Sequence, residues 1–174
     1  MLGKKHRFAM LACGIMSTAS APALATTTIE MSFEDLVAEA GTVVVGEATA
    51  ARVEQRDGGV VTVTTFRVDT LVVGDAVATV DVASPGGVVK PGKFRIQEVH
   101  PGAPVFPLGS EALLFLNYGP ANAYGVVGFN QGAVTIFKTA AGKSVRLPGS
   151  GGPETLTAAA ARIRKEKAAP RRPR

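Results

Sequence analysis

Tryptophan is absent from this chain, cysteine occurs once and histidine twice. Each scarcity excludes something. A lone Cys13 cannot close an intrachain disulfide, so stability has to come from packing. His6 and His100 stand far apart with no cysteine between Gly14 and Arg174, so the clustered donors of a zinc site do not occur. Carboxylates are scattered, with no Asp-rich calcium loop, and the adjacent pair Glu34–Asp35 stands at a helix start, where it serves the dipole. No serine sits in a Gly-x-Ser-x-Gly elbow. Gly86–Gly87 and Gly149 to Gly152 lack the ending and helix placement of a phosphate-binding loop and read as turns, so no cofactor is expected. No aromatic residue follows Phe137, which leaves the basic C-terminus without a ring to stack on a base; nucleic acid is not an expected partner.

What is present first is an export signal. Met1 to Arg7 carries Lys4, Lys5 and Arg7, an apolar stretch runs from Phe8 to about Met16, and Pro22 precedes Ala23-Leu24-Ala25, a small-x-small cleavage pattern. This order is that of a secretory signal peptide over residues 1–25, and its core is far shorter than the roughly 20 residues that span a bilayer. Cleavage before Cys13, with lipid attachment, is the competing reading. Cleavage after Ala25 removes the only cysteine and one histidine, and leaves a periplasmic or secreted mature chain.

The formal net charge of +5 hides an asymmetry. Between Thr26 and Ala161 nine basic residues face thirteen acids, whereas from Arg162 onward seven basic residues face only Glu166. The high isoelectric point therefore reports a C-terminal tail and not a basic face on the body.

Abundant Val, Thr and Gly favour strands. Ser32 suits a helix cap, with Phe33, Leu36, Val37 and Ala40 on one face and Gly41 ending the turn. Thr42 to Glu54 and Val60 to Val73 read as strands about the Asp57-Gly58-Gly59 turn. In the second of them Val61 and Val63 differ in parity from Phe66 and Val68, which asks for a bulge or strong coiling. Val80 and Val82 mark a third strand. Pro85 to Pro107 is a long connection in which Phe94, Ile96 and Val99 suggest an edge strand. Leu113 to Leu116 reads as a strand covered on both faces. Tyr124 to Phe129 and Val134 to Lys138 suggest a hairpin about Asn130-Gln131-Gly132, and Ser144 to Leu147 a further short strand. After a Gly-rich linker over residues 149–153, Pro153-Glu154 suits a first helical turn, with Leu156, Ala160 and Ile163 on one face and a disordered basic tail beyond Ala168.

These segments resemble a large group of exported bacterial proteins of uncharacterised function. The likeness is carried by Glu34-Asp35-Leu36 with Thr42 to Gly46, Thr65 to Val68 leading to Leu71-Val72-Val73-Gly74, Pro85-Gly86-Gly87, Phe106 with Gly109 to Leu116, and Val126-Val127-Gly128. The strand plan also looks like the OB-type barrel of netrin-like and metalloproteinase-inhibitor domains. That likeness implies a fold: a mainly β, small OB-like antiparallel β-barrel over residues 26–148, with a short N-terminal helix, and a C-terminal helix and basic disordered tail over 154–174. It does not imply inhibition, because those inhibitors are similar in ligating zinc through an N-terminal cysteine, which the mature chain lacks.

The expected function is non-catalytic binding or protein interaction outside the cytoplasm, with an unknown protein or envelope component as partner. The expected ligand-binding residues are Arg95, Gln97, His100 and Phe106 of the long connection. Lys165, Lys167, Arg171, Arg172 and Arg174 are expected to contact an anionic surface, either anionic lipid or lipopolysaccharide. The enzyme alternative is a hydrolase assembled in three dimensions from carboxylates, or from Ser84 or Ser110 with His100 and Asp81.

Overall fold

The computed structural model describes residues 29–56, 58–75, 77–90, 92–119, 122–140 and 142–170. The expected leader, its cleavage site and Cys13 lie outside the described residues. Among the described residues the fold is mainly β, with 50% strand and two helices.

Helix α1 (Phe33–Glu39) starts where Ser32 Oγ accepts the Asp35 N–H at 3.1 Å, and it buries Phe33, Leu36 and Val37. Its end differs from the expectation. Ala40 is the cap, in extended conformation, and Gly41 has no positive φ; its N–H already reaches across to the Leu116 carbonyl and Asn117 Oδ1. Tertiary pairing, not a left-handed glycine, terminates the helix.

β1 (Thr42–Arg56) and β2 (Gly59–Val73) form a long antiparallel hairpin closed by Arg56 and Gly59, with Gly59 at φ +120°. The ladder slips three times, between Val43 and Val44, Val45 and Gly46, and Ala48 and Ala50. The third slip answers the parity change in β2, but the extra residue is in β1: Ala48 faces Phe66, Ala50 faces Thr65, and Thr49 stands between, donating to the Thr65 carbonyl at 3.1 Å. At Gly46 a Cβ would stand 2.6 Å from the Arg67 carbonyl oxygen, so the close crossing of the two strands requires glycine.

β3 (Thr79–Pro85) pairs with β2 and buries Val80, Val82 and Ser84. β4 (Gly87–Val89) and β5 (Ile96–Glu98) then pair only with each other. The long connection is thus a hairpin, in which Phe94 and Val99 flank the strand rather than belonging to it.

β6 (Glu111–Gly119) is the centre of the sheet. One side pairs with β1, and the other pairs with β7 (Ala123–Val126) and then with β8 (Ala133–Thr135). The hairpin expected between the last two segments does not form. They lie end to end along one edge of β6, where Val127 N–H donates to the Phe115 carbonyl and Phe115 N–H to the Gly132 carbonyl. Residues 128–131 loop out between those two bonds. The turn chemistry at 130–132 does not reverse the strand direction, because β7 and β8 both run antiparallel to β6 and each takes β6 as its partner.

The strand order is β1-β2-β3-β7-β6-β8, with the additional β1–β6 pairing and a parallel contact of β3 with β7 at Val82 and Tyr124. A second sheet joins β9 (Phe137–Thr139), β10 (Gly142–Val145) and β11 (Glu154–Thr155). The Glu154 position therefore belongs to a strand. α2 (Leu156–Ala168) begins one residue after β11, with Thr155 Oγ1 accepting the Ala158 N–H at 3.3 Å.

Two apolar clusters hold these elements. Val43, Val45, Leu113 and Phe115 face α1 and the α2 residues Ala159, Ala160 and Ile163. Val44, Ala48, Leu114 and Leu116 face the opposite way, onto Phe66, Val80 and Val82. The Leu113–Leu116 run is covered on both faces, as its unbroken apolar character requires.

Cations of α2 finish the join. Lys167 Nζ donates to the carbonyls of Val37, Ala38 and Ala40 at 3.0, 3.3 and 2.6 Å, filling acceptors left open at the α1 C-terminus. Arg164 donates to the Val72 and Leu71 carbonyls at the end of β2, and Arg162 stacks 4.0 Å above the Phe33 ring while pairing with Glu154.

Candidate functional site

The excursion between β3 and β6 is tied down at its root. Val60 accepts the Gly86 N–H at 2.7 Å and donates its own N–H to Glu98 Oε2 at 2.9 Å, while Thr62 Oγ1 donates to the Gly86 carbonyl at 2.7 Å. Glu98 Oε1 lies 2.7 Å from His100 Nε2. At the far end Gly109 N–H donates to Ala48, and Ala48 N–H to Ser110. Phe106 sets its ring edge-on to Phe66, 5.0 Å between centroids, and packs on the apolar cluster there.

The distal part is different. Lys90, Lys93, Phe94, Arg95, Ile96 and Gln97 are all exposed. Phe94 retains 76% of its surface in solvent, Ile96 52% and Val99 67%. A rigid root therefore carries an apolar and basic tip.

Of the expected ligand residues, Arg95 and Gln97 belong to this exposed part. His100 is engaged by Glu98, and Phe106, partly buried, packs against the Phe66 cluster. No hydrogen bond or ring contact joins any two of the four among the described residues. The hydrolase letters are dispersed as well. Asp81 accepts from Arg52 and from Thr65, Ser110 Oγ donates to the Pro107 carbonyl, and Ser84 Oγ is buried with no hydrogen-bond partner among the described residues. Of the expected anionic-surface residues, Lys165 is exposed on α2 and Lys167 is spent on α1. Arg171, Arg172 and Arg174 lie outside the described residues.

A second surface was not foreseen. Gly128 and Phe129 both take positive φ, +63° and +67°, which swings the 128–131 loop off β6 and aims Gln131 at the N-terminal segment. There the Gln131 amide acts as a short strand: Oε1 accepts the Met31 N–H at 2.7 Å and Nε2 donates to the Ile29 carbonyl at 2.8 Å. A shallow groove of about 700 Å³ runs beside this clamp, between Met31, Val134, Arg146 and Pro148. A glutamine in a turn carries no sequence signal for such a role, because its partner is backbone about a hundred residues away.

Electrostatics along the outer strands are those of paired surface charges. The hydrogen bond from His100, and then the Val60 N–H, hold the Glu98 carboxyl below its usual range. Arg52, and then Thr65, do the same for Asp81. Among the described residues no group of three or more His, Cys, Asp or Glu side chains stands together as a metal site. No helix among them is long and apolar enough to cross a membrane. No protein-family model, curated protein or solved structure matches this chain.

Proposed function

We propose that this chain is an exported, non-catalytic binding module, built on an OB-type barrel, whose contact surface is the excursion from Pro85 to Ser110. The barrel reading is supported by the succession of pairings β1–β2–β3–β7–β6, with β6 paired again to β1 and β3 running parallel to β7. Export is supported by the leader over residues 1–25.

One observation carries the binding reading. A hairpin fastened at its root through Val60 holds Phe94, Ile96 and Val99 in solvent, where apolar surface is unfavourable unless something covers it. The residues that would serve a hydrolase are instead used architecturally, His100 on Glu98 and Asp81 on Arg52 and Thr65. Attachment through the C-terminal tail is weakened by the engagement of Lys167 with three carbonyls of α1 and its cap.

The test uses the full chain expressed with its leader. The exported product is expected to begin near Thr26. A photoreactive phenylalanine analogue at position 94 is expected to cross-link to an envelope component, whereas the same analogue at Lys138, exposed on β9, does not. Turnover of an ester, peptide, phosphoester or glycoside that is lost in His100→Ala would overturn the reading in favour of the hydrolase.

A further inference from the structure

Resting on that binding reading, we propose that the tip of the β4–β5 hairpin docks onto the surface of an anionic lipid bilayer, with Phe94 entering the interface and Lys90, Lys93 and Arg95 meeting the headgroups. The argument begins with charge. Between Pro85 and Ser110 the sequence holds three cations and a single acid, Glu98. That acid pairs with none of the tip cations, and its two oxygens face His100 Nε2 and the Val60 N–H instead. Lys90, Lys93 and Arg95 are exposed, and none of them takes part in an ion pair among the described residues.

The second strand of the argument is the placement of apolar surface among those charges. Phe94 stands between Lys93 and Arg95 and is 76% exposed, and Ile96 follows at 52%. A protein partner would accept the rings and offer acids at fixed points. A bilayer interface offers apolar depth beneath a continuous layer of phosphates, so it satisfies both kinds of side chain at once and allows long cationic stems to reach sideways to the headgroups. No geometry needs to match beyond an exposed tip, which the two-strand hairpin of β4 and β5 provides. Arg164 and Lys167 of α2, by contrast, are directed at carbonyls of their own chain.

The absence of tryptophan makes the test direct, since Phe94→Trp creates a single reporter. Vesicles of phosphatidylcholine with phosphatidylglycerol are expected to shift its emission to the blue and to expose it to quenching by lipids brominated near the interface. Vesicles of phosphatidylcholine alone, and inorganic phosphate, are expected to leave it unchanged. Adding Lys93→Glu and Arg95→Glu to the reporter chain should weaken partitioning roughly a hundredfold while its melting temperature stays the same. An unchanged emission with the anionic vesicles overturns the proposal, as does an equal shift on zwitterionic vesicles or insensitivity to the charge reversals. If the vesicles fail while the position-94 cross-linker captures a protein, the bilayer falls and the binding module stands. If both fail, the binding module falls with it.

Discussion

Arg162, Arg164 and Lys167 on α2 and Lys90, Lys93 and Arg95 on the β4–β5 hairpin are alike as sequence: each trio spans six residues, with Lys165 an additional, exposed cation on α2. They differ in what their charges meet. The α2 set is answered inside the molecule by the Phe33 ring, the Glu154 carboxylate and five carbonyls at the ends of β2 and α1. The hairpin set meets solvent. A cation bonded to otherwise orphaned carbonyls holds two elements together, while a cation left in water beside exposed apolar surface is free to meet something else. The lesson is that basic clusters have to be sorted by partner before they are assigned a role.

The sharpest way to break this comparison is to remove the apolar face through which α2 docks. Ile163 is fully buried, and Ile163→Ala should cost about 3 kcal/mol of stability by thermal or denaturant unfolding, whereas Phe94→Ala should change it by less than about 0.5 kcal/mol. A loss of similar size at Phe94 would mean the hairpin is part of the core. Next in size is the charge itself. Lys167→Met keeps the aliphatic stem and leaves the α1 carbonyls unanswered, so it should lower stability by about 1–2 kcal/mol, with Lys93→Met showing none of that loss.

A smaller effect concerns the root of the hairpin. Because the folded Glu98 value is depressed, its contribution is present above the ordinary glutamate value, 4.5, and is lost as pH falls through the lower folded value. The Val60 amide resonance should therefore titrate with a midpoint below that of a free glutamate, and Glu98→Gln should abolish the titration. The smallest effect is expected at Arg52, whose pairs with Glu54 and Asp81 are open to water. Arg52→Gln should leave the unfolding midpoint unchanged, which separates exposed pairing from the carbonyl clasps of α2.

What the sequence made legible was local. The Ser32 cap, the turn closing β1 on β2, the need for a bulge near Phe66 and the double burial of Leu113 to Leu116 each follow from a few adjacent residues. What it concealed was partner choice. β7 and β8 carried hairpin spacing, yet both paired with β6, because a buried strand offering a whole edge outweighs a two-strand pairing around a turn. β4 was invisible because Gly87–Val89 is too short to show alternation. Lys167 looked like tail charge, and Gln131 like turn polarity, since each depends on carbonyls or amides remote in sequence. The long connection from Pro85 to Pro107 was legible as a connection, and the structure folds part of it into the β4–β5 hairpin. The proposed bilayer contact rests on Phe94, Lys90 and Lys93, a ring flanked by cations with one nearby acid that is also readable in the sequence. His100 lies against Glu98 and Phe106 against Phe66, contacts that depend on the three-dimensional placement of the connection.

The pairing of residues 42–47 with residues 111–116 also sets a timetable. β1 and β2 can zip together early, because only a tight turn separates them, but the second edge of β1 waits for β6. The face covered by Ile163 waits longer still, until nearly the whole chain has been delivered. Such long-range closure is slow, and it leaves a partly made chain with open edges and uncovered valines that chaperones would hold. On the proposed export route, which threads a chain N-terminus first through a narrow pore, late closure is an asset: the β1–β6 seam cannot lock before Leu116 has followed.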